Sequence, residues 1–174
     1  MRYSEQLDSD AKEFIGFAVE GVNLMQTLID DVLVYSKVDL LGIEWGLTEV
    51  STAFDRALSH LRGRIAETGA IVTFDPMPTI VADSTQLMQL FQNLIGNAIK
   101  FRKPDTVPQI HVSIERQEDD WLFSVRDNGI GIDARFFDRI FVILQRLHTR
   151  DEYSGSGMGL TICKKIVECH RGKI

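Results

Sequence analysis

The chain lacks the marks of an extracellular, membrane-spanning or nucleic-acid-binding protein. It has only two cysteines, Cys163 and Cys169, in 174 residues. Six apart in a segment of helical pattern, they fall on different faces. That excludes a disulfide framework or a cysteine metal pair and fits reduced thiols in the cytoplasm. No apolar run approaches the roughly 18 residues of a membrane span, and no signal-peptide pattern is read at the start. There is no internal repeat and no low-complexity tract. Basic charge is also short: the net charge is −6 and the pI about 5.2. Nucleic acid as the main partner is excluded, because it would need a net basic stripe. Lysines and arginines near 100–103 and 135–150 suffice for one anionic ligand. The remainder, 44% hydrophobic and 25% charged, is ordinary for a globular chain of one or two small domains with a real core.

The apolar pattern predicts a long helix over residues 7–36. Leu7, Ala11, Phe14, Ala18, Gly21, Met25, Leu28, Val32 and Tyr35 alternate by fours and threes, a seam of about four heptads. Ile15, Val22 and Ile29 flank it. So much apolar surface suits a bundle or dimer helix better than a helix on its own domain. Asp8 or Ser9 is the expected cap and Gly42 the expected stop. A strand-like stretch at 46–50 follows. A second helix is expected over 51–67, capped by Ser51 or Thr52 and ended by Gly69. Short strands at 70–74 and 80–81 flank the turn Asp75-Pro76-Met77-Pro78. Asp83 or Ser84 then caps a helix over 84–101, and Pro104 closes it. Strands at 109–116 and 121–127 alternate. A short helix near 134–141, a mobile loop through 153–155 and a helix over 159–170 complete the reading.

Three stretches carry chemistry. In NLIGNAIKFR (93–102), Asn93, Asn97 and Lys100 share one face of the helix, opposite Leu87, Leu90, Phe91, Leu94, Ile95 and Ala98. Amide oxygens suit Mg²⁺, and an ammonium suits phosphate. Alone, these three residues read better as a solvated polar face. In DNGIGI (127–132), Asp127 continues the parity of Phe123 and Val125, which places a carboxylate on the inner face at a strand end. Such an acceptor suits an exocyclic amine or a bound water; alternatively, Asp127 closes a turn through its own backbone. In GSGMGL (155–160), glycines precede a helix start, where free amides form an anion cradle. No Lys-Ser/Thr follows, so it is not a Walker loop, and it has no βαβ setting.

In this order the stretches resemble the ATP-binding catalytic domain of sensor histidine kinases, within the wider fold shared with gyrase B, MutL and heat-shock chaperone ATPases. NLIGNAIKF resembles the N box, DNGIGI the first glycine box, FDRIF the F box and GSGMGL the second glycine box. The motifs span about 80–172. The segment LDSDAKEF to LIDDVLVYSKV is similar to the second helix of the dimerisation hairpin, particularly in phytochrome-like kinases. The resemblance implies an α+β chain: a bundle helix over 1–40, then a two-layer α/β sandwich (the GHKL or Bergerat fold) over 41–174, without its last strands. It implies ATP and Mg²⁺ as cofactors. Asn97 would ligate Mg²⁺, with Asn93 supporting it or binding phosphate, and Lys100 would contact phosphate. Asp127 would accept from the adenine amino group, and Gly129 and Gly131 would let the purine pack. Gly155, Gly157, Gly159 and Leu160 would bring the lid and helix amides to the phosphates. Arg146 falls where the family often has an arginine for the γ-phosphate, although Leu144 stands where an aromatic is commoner.

The family's phosphoacceptor string, His-Asp/Glu-Leu-Arg-x-Pro, is missing. His60, His111, His148 and His170 lie in unrelated contexts. The expectation is therefore a trimmed segment, starting between the hairpin helices and stopping at Gly172-Lys173-Ile174. It would bind nucleotide for transfer to a histidine elsewhere and would not label itself. Expected partners are a second copy, through the 7–36 helix, and a response regulator. Two other readings stand beside this: an interaction module built on the seam, and a hydrolysing ATPase. The latter is disfavoured because no Glu or Asp lies between Asp83 and Asp105, and the amides Gln89 and Gln92 are poor bases.

Overall fold

The computed structural model describes residues 8–40, 44–149, 152–153 and 155–174, leaving aside the side chains of 39 and 40. It opens with a 32-residue helix, α1 (Ser9–Leu40). Asp8 caps α1 by accepting from the Ala11 N–H at 2.8 Å, which satisfies an amide that the first turn leaves unpaired. The helix ends at Leu40 rather than near 36. Leu7, the first seam residue, and Gly42, the expected stop, lie outside the described residues.

The elements that follow are β1 (Gly46–Glu49), α2 (Val50–Thr68), β2 (Ile71–Phe74), β3 (Thr79–Ala82), α3 (Ser84–Lys100), β4 (Gln109–Gln117), β5 (Asp120–Asp127) and α4 (Gly159–Cys169). Two local expectations are corrected. The N-cap of α2 is Glu49, with no side-chain cap bond; Thr52 instead turns its hydroxyl toward the Glu49 carboxylate at 3.4 Å. The helix expected at 134–141 is a single 3-10 turn, Ala134–Phe136, capped by Asp133. Its apolar residues make no consistent buried face: Phe137 is exposed, while Phe136, Ile140 and Phe141 are partly buried.

β2, β4 and β5 form a mixed sheet, with β2 parallel and β5 antiparallel to the central β4. β1 and β3 pair separately as an antiparallel ribbon. Helices α2 and α3 cover one face of the mixed sheet, giving an α+β arrangement of a helical layer over a sheet. Phe54, Phe91 and Phe123 pack edge to face between the layers, at 5.2 and 6.1 Å. Ile95, Ile99, Ile110 and Val112 fill the remaining core. A second apolar cluster joins Val38 of α1 to Met158, Ile162 and Ile166 around α4.

Asp83 starts α3 as predicted. Its Oδ1 accepts from the amides of Thr85 and Gln86 at 2.9 and 3.0 Å. The Asp83 amide in turn donates to His170 Nε2 at 3.1 Å. An N–H facing Nε2 requires the ring proton on Nδ1, which donates to the Ile166 carbonyl at 2.8 Å. Trp45 meets the same ring edge-on at 5.1 Å. The start of α3 and the end of α4 are thus clasped, which sets the gap between the two helices.

Candidate functional site

The polar face of α3 looks across that gap at the glycine-rich start of α4. Asn93 Nδ2 donates to the Gly159 carbonyl at 3.3 Å and Oδ1 accepts from Gln89 at 3.3 Å. A Cβ on Gly159 would come 3.7 Å from Asn97 Nδ2 and 3.9 Å from Asn93 Cγ. A larger side chain at 159 would therefore fill the space before both amides. Lys100 continues the row one turn on. Its Nζ lies 4.1 Å from the Phe101 ring centroid, and a Cβ on Gly155 would sit 3.1 Å from it. Burial, followed by the charges of Arg146 and Arg64, pushes Lys100 down to about 8. Both arginines come from other parts of the chain, so cations converge here.

Asp127 ends β5 opposite Ile110, on the face shared by Phe123 and Val125. The parity predicted from sequence holds, but the expected burial does not: Asp127 is exposed. The strand runs past the core, and its last residue emerges at the cavity wall. Its Oδ1 accepts from the Gly129 N–H at 2.8 Å, so the turn-closing role is also realised. Asn128 pins the turn to the sheet through Gln109 N and Val107 O, at 2.9 and 3.0 Å. Ile130 N donates to Phe101 O at 3.0 Å, tying the first glycine run to the end of α3. Gly131 has a positive φ of 73° and open space around its Cα.

Arg146 lines the cavity. Its guanidinium donates to the carbonyls of Gly155, Thr149 and Tyr153. It braces the loop internally rather than presenting a free fork. Gly157 sits against that brace with φ 84°, and a Cβ there would come 3.0 Å from Gln145 O. The rings of His148 and Tyr153 cover Phe101, at 5.9 and 5.0 Å, and so hold the loop on the end of α3. Leu160 lines the same cavity, half-buried.

The sequence reading missed two contributors. Arg64 of α2 donates to Gly96 O at 3.0 Å. A Cβ on Gly96 would stand 3.3 Å from its Nη1, so this mid-helix glycine was the available signal, a residue kept for close packing. Asp31 of α1 accepts from the Ser156 hydroxyl, and nothing in its local string marks it. Together these elements enclose a cavity of about 660 Å³. Amides, cations, glycine backbone, the Asp127 carboxylate and apolar side chains all line it. That arrangement fits an elongated anion with a planar polar head.

Residues 82–174 match the family model described as histidine kinase-, DNA gyrase B-, and HSP90-like ATPase. The whole chain is 73% identical to cyanobacterial phytochrome A of Nostoc sp. strain PCC 7120 and 60% identical to the phytochrome-like protein Cph1 of Synechocystis sp. strain PCC 6803. It spans 23% of the length of each. Among solved structures, full-length ShkA in complex with AMPPNP superposes with a TM-score of 0.70 at 22% identity, covering 94% of this chain and 35% of that one. The order of the four boxes, the helix-over-sheet fold and the family match agree: the chain belongs to the histidine kinase-, DNA gyrase B- and HSP90-like ATPase family.

Proposed function

We propose that residues 41–174 are the ATP-binding catalytic portion of a two-component sensor histidine kinase and residues 1–40 the second helix of its dimerisation hairpin. The observation that carries this reading is the bare glycine backbone of Gly159 standing against Asn93 and Asn97. Polar side chains lie directly against glycine backbone with no side chain between them, which supports close approach of a polyphosphate to the start of α4. Asn97 offers a hard amide oxygen to Mg²⁺, which would neutralise phosphate charge when bound. Lys100 adds a cation at the same end. Asp127 takes the amino group of adenine at the other. The chain's own contribution to phosphoryl transfer is positioning and charge stabilisation. The receiving histidine lies outside the motifs present here, and the phosphoryl group passes on to a response regulator.

The α1 stripe supports self-association. Phe14 is 71%, Val22 59% and Met25 56% exposed, an apolar face that the described residues leave uncovered. Among the described residues no helix is long and apolar enough to cross a membrane, and a cytoplasmic setting agrees with the free thiols Cys163 and Cys169.

Calorimetric titration with Mg·ATP tests the site. The unaltered chain binds. Asn97→Asp and Asp127→Asn each weaken binding by about tenfold or more, the loss of one charge-assisted contact, while the far-ultraviolet dichroism stays the same. Unchanged affinity in both variants removes the assignment. Incubation with γ-labelled ATP leaves no acid-labile, base-stable label on the chain; finding such label would refute the absence of an acceptor.

A further inference from the structure

Thr27 and Asp31 stand one turn apart on α1, and both line the cavity. Asp31 Oδ2 accepts from Ser156 Oγ, and that oxygen accepts from the Met158 N–H at 3.2 Å. Met158 is the N-cap of α4. A carboxylate therefore sits on the glycine run where free amides and the helix dipole favour an anion. The contact is seated: Val34, Tyr35 and Val38, within two turns of Asp31, pack against Met158, Ile162 and Ile166, and Lys165 lies 5.8 Å from the Tyr35 ring.

We infer that Asp31 is an intramolecular competitor for the phosphate end of the cavity, so that docking of α1 on α4 and binding of a polyphosphate oppose each other. The inference rests on the nucleotide reading above. A triphosphate placed against Gly155 to Gly159 brings several negative charges beside a fixed carboxylate, and like charges at such range repel strongly when partly shielded from water. The ligand must displace Asp31 or bind weakly. Displacement removes the Asp31–Ser156 contact of α1 and leaves its packing near Val34, Tyr35 and Val38. By linkage, whatever pulls α1 from α4 raises nucleotide affinity by the same factor. Asp31 is thus a specificity-determining residue supplied by the neighbouring helix, acting against highly charged ligands more than against weakly charged ones.

The experiment compares Asp31→Asn with the unaltered chain. Asn keeps an acceptor for Ser156 and removes only the charge. Binding of Mg·ATP is expected to tighten roughly 3- to 10-fold, that of AMP to change by less than about twofold, and the difference to shrink at high salt. Asp30→Asn, an equal change of net charge on an exposed residue bonded to Gln26, leaves affinity unchanged. Hydrogen exchange at residues 31–38 rises when the unaltered chain binds Mg·ATP and rises less in Asp31→Asn. Equal or weaker Mg·ATP binding by Asp31→Asn, with the unaltered chain binding normally, overturns the inference and leaves the nucleotide site standing. Failure of both proteins to bind Mg·ATP overturns the nucleotide reading and the inference with it.

Discussion

Gly129 donates its backbone N–H to the carboxylate of Asp127 at 2.8 Å, and it has no room for a side chain. A Cβ there would lie 2.5 Å from Phe101 O and 2.7 Å from Asp127 Oδ1. One neighbour is backbone at the end of α3 and cannot swing aside. Gly129→Ala is therefore expected to cost about 1–3 kcal/mol of stability and to displace Asp127. A urea titration shows a lowered midpoint, and calorimetry shows lost Mg·ATP binding. A midpoint equal to that of the parent contradicts the packing described.

Lys100 sets a pH dependence. Its pKa in the folded chain is lowered to about 8 from 10.5. Between those values the unfolded chain holds the proton and the folded chain does not, so stability rises with pH through that window. Anion binding has the opposite sign: the neutral amine must regain its proton beside a phosphate. Mg·ATP affinity is expected to fall as pH rises through 8, with proton uptake on binding. Calorimetry in buffers of different ionisation enthalpy measures that uptake. Lys100→Met abolishes it; persistence of the uptake in that variant assigns it to another group.

Removing Arg146 should loosen the loop and spare the fold. Its guanidinium holds the carbonyls of Gly155, Thr149 and Tyr153, all on one loop and distant from the main core. For Arg146→Ala, amide exchange over 145–157 quickens, while global stability moves by no more than about 0.5–1 kcal/mol. A large drop in melting temperature would show that the brace reaches further than its contacts.

Self-association through α1 is tested by charge. Val22→Asp combined with Met25→Asp places two carboxylates in the exposed apolar stripe, away from the docked end at 34–38. Sedimentation velocity is expected to shift toward monomer, with Mg·ATP affinity changed by less than about twofold. An unchanged sedimentation coefficient rules out that stripe as the contact.

The helices and strands that carry the site were legible because each has a clean period. α3 has apolar residues at helical spacing and a strong cap in Asp83. β4 and β5 alternate, and their register keeps Phe123, Val125 and Asp127 on one face. Parity reports which side a residue faces but not where the core ends, so the exposure of Asp127 was not legible. The loop from 133 to 158 lacks a period, and its folding is decided by Arg146 and by rings stacked on Phe101. The Arg146 contacts are local but aperiodic, and the rings on Phe101 join residues far apart in the chain. Arg64 and Asp31 enter the cavity from α2 and α1 for the same reason. Asn93, Asn97, Lys100 and the glycines of 155–159 do line one cavity; which ligand atoms each meets is tested by the titrations above.

The hydrogen bond between Asp83 and His170 joins residues 87 apart in the chain. Closing a loop of that length in an unfolded chain costs on the order of 4 kcal/mol of entropy. Asn93, Asp127, Arg146 and Gly159 all lie inside it. The Asp83–His170 contact helps to hold them together in the folded chain. A ligand that touches both α3 and α4 is then a second, reversible cross-link on the same loop. It slows unfolding by resisting reopening, in the way a staple holds a folded sheet, and its protective effect should appear in the unfolding rate more than in the folding rate.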